Sequence, residues 1–210
     1  MNLTVFGATG RTGRPLLDLA LPHHTVTALV RDPAKLGRQH ENLRVVQGDL
    51  QDPARVAEAV AGADTVISVA GHTKTSQPDV LATAARNAIS AMEKHDVARL
   101  ITLLGAGVSD AADPPPSLGR RVMLGVMRLV AKTMLTDATR HAEIVRASGL
   151  DYSIVRPPRL TDGPATGKLR HGTLSLGPGN SISRTDLAAF MLDLATSDRY
   201  VREAPMVAAD

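Results

Sequence analysis

The 210-residue sequence predicts a doubly wound parallel α/β sheet folded as one domain over residues 1–210. Three observations lead there. Strand-like and helix-like stretches alternate along almost the whole length, the order that sandwiches a parallel sheet between two layers of helices. The strand runs are mostly β-branched residues and leucine bounded by turn residues, as suits strands buried on both faces. The first strand also runs straight into three glycines, Gly7, Gly10 and Gly13, before a helical pattern starts at Arg14.

Taken in order, the strands are expected at residues 3–6, 25–30, 43–47, 65–69, 99–104 and 152–155. The helices are expected at residues 14–20, 53–60, 78–94, 119–135, 137–148 and 184–196. Asp32-Pro33 and Asp52-Pro53 each set an N-capping carboxylate before a proline suited to a first helical position. Residues 105–121 read as a long loop around Asp113-Pro114-Pro115-Pro116. Loops of this length in compact domains are functional lids or disordered segments. Loop and following helix together form an insertion at about residues 105–135, close to the expected substrate site. The helix carries Val122, Met123, Val126, Met127, Val130 and Met134. Such a flexible apolar stripe is more often core than pocket, and on the sheet's carboxyl edge it would wall a flat substrate.

A glycine-rich turn between a buried strand and a helix lets a diphosphate approach the backbone and meet the helix N-terminus. Gly7 then serves the tight turn, Gly10 the close approach and Gly13 the packing of helix on strand. The spacing G-x-x-G-x-x-G is a weak signal alone, but strand, helix and a second strand in sequence make it a Rossmann dinucleotide site. The second strand ends in Arg31, where an acidic residue would hold the ribose 2′-OH of NAD; Asp32 is already a cap. Arg31, with Arg11 from the glycine loop, suits a 2′-phosphate, which favours NADP(H); the alternative is a solvated strand-end charge. Asp49 after the third strand can accept from the adenine amino group or simply form an Asx turn. Ala70-Gly71 offers a small-residue floor beneath the cofactor. His72 either reaches the nicotinamide end or is a loop histidine without function.

Composition narrows the classes. Hydrophobic residues at 43% are enough for a packed core, and zero cysteines remove thiol catalysis, Cys-based zinc sites and disulfides. The first strand begins at residue 2, and no apolar run reaches membrane-spanning length, so a cytoplasmic protein with no membrane partner is expected. The net charge of +3 is a small excess of scattered basic residues, and Phe6, Tyr152, Phe190 and Tyr200 are the only aromatics of the Phe, Trp and Tyr types. Nucleic-acid binding by stacking or a basic stripe is therefore not expected. The seven histidines show no metal-ligand spacing, and no metal is expected. The expected partner is a small-molecule acceptor, with the chain a monomer or small homo-oligomer.

A typical short-chain dehydrogenase uses a tyrosine with a lysine four residues on. Here Tyr152 is followed by Arg156 and Tyr200 by Ala204. Alcohol oxidation or epimerisation by that mechanism is thus disfavoured. Reduction of a conjugated acceptor can instead draw its proton from solvent, with the protein supplying position and a dry apolar site.

Several segments together resemble the atypical short-chain dehydrogenases. They are Val5 to Gly13, Leu29-Val30-Arg31-Asp32, Val46 to Leu50, Ser148 to Tyr152, Ile154 to Pro164 and Ile182 to Ala188. The subgroup resembled is the NAD(P)H-binding, NmrA-like proteins, within it the branch of biliverdin reductase B, also called flavin reductase. The resemblance implies an NADPH-dependent reductase of flavins, quinones or similar acceptors. It carries diphosphate and 2′-phosphate binding onto Gly7, Thr9, Gly10, Arg11, Thr12, Gly13 and Arg31. It carries adenine contacts onto Asp49 and Leu50, the backbone under the ribose onto Ala70 and Gly71, and nicotinamide packing onto Pro157 and Pro158. Two positions depart from that branch: Gly105 stands where it has a serine, and Arg159 where it has a histidine. The insertion with the methionine-rich helix is also longer. Arg159 either steers an anionic acceptor or is a surface arginine beside a turn. NmrA-like relatives also imply a competing role, a non-catalytic NADP(H) sensor.

Overall fold

The computed structural model describes residues 1–73, 76–115, 121, 125–126, 129–177 and 179–210. The chain runs β1 (Asn2–Phe6), α1 (Gly13–Ala20), β2 (Thr25–Val30), a 3-10 turn (Pro33–Leu36), β3 (Leu43–Gln47), α2 (Pro53–Val60), β4 (Thr65–Ser68) and α3 (Val80–Lys94). It continues with β5 (Arg99–Leu103), α4 (Lys132–Ala147), β6 (Asp151–Val155), β7 (Arg159–Thr161), β8 (Leu169–Gly172), β9 (Ser181–Ser183), α5 (Arg184–Ala195) and β10 (Met206–Ala209).

Six strands form one parallel sheet in the order β3-β2-β1-β4-β5-β6, the doubly wound Rossmann arrangement. Alternation along β1 divides the core. Leu3 and Val5 face one layer with Leu16 and Leu17 of α1 and Leu187 and Met191 of α5. Phe6 faces the other, with Val56 and Val60 of α2, Leu81 and Met92 of α3 and Val145 of α4. Each such buried side chain contributes about 1.5–3 kcal/mol, and the two layers clamp β1 between them. Thr4 is buried among them because its Oγ1 donates to the Ala59 carbonyl at 2.6 Å.

Both Asp-Pro sequences cap as expected. Asp32 accepts from the Ala34 N–H at 3.1 Å, and Asp52 accepts from the Ala54 and Arg55 N–H groups at 3.0 and 3.3 Å. The first opens only a single 3-10 turn, ended by Gly37 with φ of 66°.

Three expectations need correction. The helix break before Asp137 does not exist: α4 runs unbroken from Lys132 to Ala147. Thr136-Asp137 resembles a cap, but the Asp137 carboxylate turns away from its own helix and caps α3 instead. The apolar stripe of the insertion is not core where it is described: Val126, Val130 and Met134 are exposed. Val122, Met123 and Met127 lie outside the described residues, as does most of the expected helix before Lys132. The four short strands β7 to β10 were not anticipated. They form two small pairs beyond the main sheet, β10 antiparallel to β8 and β7 parallel to β9.

Candidate active site

The strand order reverses between β1 and β4, and the crevice at their carboxyl ends is where ligands settle in such sheets. A cleft runs along this edge in two connected parts. The narrower, about 320 Å³, reaches Arg31, Gly48, Asp49 and Leu50 at the ends of β2 and β3. The wider, about 790 Å³, reaches His72, Met134, Leu135, Pro157, Pro158 and Leu160. Gly10, Ala70 and Gly71 line both.

The glycine loop fits a diphosphate. Gly7 has φ of 82°, and a Cβ there would come within 2.8 Å of the Ala70 nitrogen. A Cβ on Gly13 would stand 2.2 Å from the Gly7 carbonyl oxygen, so α1 seats on β1 only without a side chain. Thr12, the residue before α1, makes no side-chain capping bond. The backbone N–H groups of Arg11 and Thr12 have no backbone partner among the described residues. The start of α1 thus presents free donors and the positive dipole end to the cleft.

At the narrow end the Arg31 Nε lies 3.9 Å from Asp49 Oδ2, with both side chains well exposed. Asp49 Oδ1 accepts from the Gln51 N–H at 2.9 Å, forming the Asx turn. Arg11 lies elsewhere. Its guanidinium lines the wide part and pairs with Asp162, which also accepts from Arg184 Nη1 at 2.6 Å. The hydrogen bond from Arg11, reinforced by the charge and hydrogen bond of Arg184, holds the Asp162 carboxyl below its ordinary value. Arg159 is exposed on β7 and does not line the cleft. Thr9 lines the narrow part and Thr12 the wide one. Gly105 also lines the wide part, with Gly107 and Val108.

The loop forming that rim is tied down by a residue given no role in the sequence reading. Arg156, directly before the proline pair, is 2% exposed. It forks onto Asp113 at 2.7 and 2.8 Å and also donates to the Val108 and Ala204 carbonyls, both at 2.9 Å. The signal available was Arg156-Pro157-Pro158 at a strand end, but its partners lie more than forty residues away on either side. Asp137, Asp162 and Arg184 were likewise given no role, because each acts through contacts distant in sequence.

Residues 7–198 match the family described as NAD(P)H-binding. The chain belongs to the NAD(P)H-binding family. Among its relatives is the oxidoreductase aflX of Aspergillus parasiticus, 28% identical over 214 residues that cover 92% of this chain and 77% of that protein. ChuY, an anaerobillin reductase from Escherichia coli O157:H7, superposes with a TM-score of 0.82 at 25% identity, covering 99% of this chain and 96% of the other. The oxidoreductase ylbE of Lactococcus lactis shares the fold with a TM-score of 0.83 at 23% identity, covering 100% and 91%. In this NAD(P)H-binding chain, the match spans the glycine loop, both parts of the cleft and Arg184. No helix among the described residues is long and apolar enough to cross a membrane.

Proposed function

We propose that this chain is an NADPH-dependent reductase of a flavin, quinone or similar conjugated small molecule. The observation that carries the reading is the polarity of the cleft. A charged, narrow end at Arg31 suits a phosphorylated ribose and adenine, and a wide end walled by Met134, Leu135, Ala138 and Leu160 suits a flat apolar ring system. The oxidoreductase and reductase relatives support the same chemistry.

The reduced nicotinamide supplies the hydride when bound. The residues of the chain hold and orient. The glycine loop and the first turn of α1 receive the diphosphate through Gly7, Thr9, Gly10, Arg11, Thr12 and Gly13. Arg31 takes the 2′-phosphate, which replaces Asp49 as its counter-charge, while Asp49 and Leu50 border the adenine. Ala70 and Gly71 underlie the ribose, and Pro157 and Pro158, which have no N–H to satisfy, present an apolar edge to the nicotinamide. The apolar wall excludes water from the reacting ring and fixes its distance.

Mixing the protein with NADPH and a panel of FMN, riboflavin and quinones should bleach the nicotinamide absorbance with at least one acceptor. Tight NADPH binding with no turnover across the panel would overturn the reading in favour of a non-catalytic NADP(H) sensor. Arg31→Glu should weaken NADPH at least about tenfold more than NADH, since one lost charge-assisted contact costs about 1.5–3 kcal/mol. Equal losses for the two cofactors would remove Arg31 from the 2′-phosphate site.

A further inference from the structure

Asp137 is a carboxylate 3% exposed in the interior of a helix. Its Oδ2 accepts from the Leu81 N–H at 2.9 Å and its Oδ1 from the Ala82 N–H at 3.0 Å, both in the first turn of α3. The carboxylate thus caps the positive end of α3. Two histidines approach this buried charge. His141, one turn further along α4, is fully engaged: its Nδ1–H donates to the Leu81 carbonyl and its Nε2 accepts from Thr102 Oγ1, both at 3.0 Å. Burial lowers its pKa and keeps it neutral.

His72 is different. Its Nε2 lies 2.9 Å from Asp137 Oδ2 but off the line of a hydrogen bond, so this fully buried atom makes only an electrostatic contact. The ring is 9% exposed and lines the wide part of the cleft, and its Nδ1 has no hydrogen-bond partner among the described residues. The arrangement is one ring nitrogen against a buried carboxylate and the other available to a ligand. Catalytic hydrogen bonds are commonly this loose before the ligand arrives.

We propose that His72, oriented by Asp137, is the proton donor to the acceptor, and that Asp137 is its positioning residue. The inference rests on the reductase reading and replaces solvent as the immediate proton source. The acceptor gains a hydride from the reduced nicotinamide at one atom of its conjugated system. The displaced electron pair at the far heteroatom takes the proton from His72 Nδ1, breaking that N–H bond. The neutral ring is reprotonated by water from the cleft mouth, with Asp137 bearing the compensating charge throughout. Among the described residues, the other charged groups lining this part of the cleft are Arg11 and Arg184, which share the single carboxylate of Asp162.

The test compares the wild type, His72→Gln and Asp137→Asn, using the acceptor that the wild type reduces fastest. His72→Gln should lower kcat by about 100-fold, the usual contribution of a general acid, with the NADPH dissociation constant and melting temperature unchanged. The pH profile of its kcat should also differ from that of the wild type. In the protein without cofactor, the imidazole NMR signals of His72 should shift in Asp137→Asn, which removes the charge beside Nε2. His72→Gln with at least half the wild-type kcat and the same pH profile overturns the proposal while the reductase reading stands. A wild type that reduces no acceptor overturns both. Because Asp137 also caps α3, an unfolded Asp137→Asn leaves the decision to the His72→Gln arm.

Discussion

The two ends of the cleft are built on different principles. At the glycine loop every critical contact is local or backbone to backbone: Gly13 against Gly7, and Gly7 against Ala70. At the wide end the wall is assembled from the end of β5, the Pro157-Pro158 segment after β6, β7, α4 and the rim at residues 105–108, joined by side chains that reach across the molecule. Arg156 to Asp113, Asp137 to α3, and Asp162 to both Arg11 and Arg184 are its fasteners. A site held by backbone geometry tolerates few side chains but needs no charge. One held by long-range side-chain contacts is vulnerable to the loss of a single partner, most of all at the buried Arg156–Asp113 pair.

The largest effect that would expose this difference is at Arg156. Arg156→Met is expected to destabilise the fold by about 3–5 kcal/mol, because it leaves a carboxylate and two carbonyls without their buried cation. Chemical denaturation measures the stability. Near the midpoint of sensitivity, NADPH binding by the folded fraction should hardly change while the KM for the acceptor rises. A variant that loses NADPH and acceptor equally would mean that the two ends are not independently held.

This asymmetry also governs what could be read from the sequence. All six strands of the main sheet lie within a residue or so of their expected places, because runs rich in β-branched residues and leucine bounded by turn residues are a local signal. The Asp32 and Asp52 caps were legible for the same reason, being local. The short strands were not. β7 and β9 have three residues each, too few for any period, and they exist only because they pair with one another. The helix start expected at Asp137 is absent because that residue lies inside α4 and caps no turn of its own helix. Its carboxylate is drawn instead to the exposed donors of a neighbouring helix, and nothing local reports that. The described members of the insertion's apolar stripe misled similarly: periodicity marks a face, but not what covers it.

An intermediate effect separates the two kinds of glycine at the cofactor end. Gly13→Ala should cost about 1–3 kcal/mol of stability by overpacking, since both neighbours of the new Cβ are backbone atoms that cannot swing aside. NADPH affinity should fall with it. Gly71→Ala meets nothing within 4 Å, so its melting temperature should match the wild type. Fluorescence titration should nevertheless find NADPH weakened, because the new methyl projects from the cleft floor. Unchanged NADPH affinity in Gly71→Ala would take that floor out of the cofactor site.

The smallest effect concerns the segment that follows the wide end. Asp186, 2% exposed on the first turn of α5, accepts from the Thr166 and Gly167 N–H groups, both at 2.9 Å, and from Ser183 Oγ at 2.9 Å. Burial alone would raise its carboxyl pKa, but these hydrogen bonds together outweigh it and hold the group below its ordinary value. As the pH falls, the unfolded chain therefore binds this proton first. The stabilisation is complete above the unfolded value of about 3.9 and is lost as the pH drops through the lower folded value. His141 behaves differently although it too has a lowered pKa: its unfolded form takes up a proton below about 6.5, so its cost appears already in mildly acidic solution. Urea unfolding across the acid range should thus show two separate declines in the wild type. Asp186→Asn should be less stable by on the order of 1 kcal/mol at neutral pH. It should keep the decline below pH 6.5 and flatten the one below about pH 4, because its amide has no proton to gain there. An unaltered slope in the lower window would mean that the acid sensitivity of this segment comes from another carboxylate, with Asp162 between its two arginines the next to test.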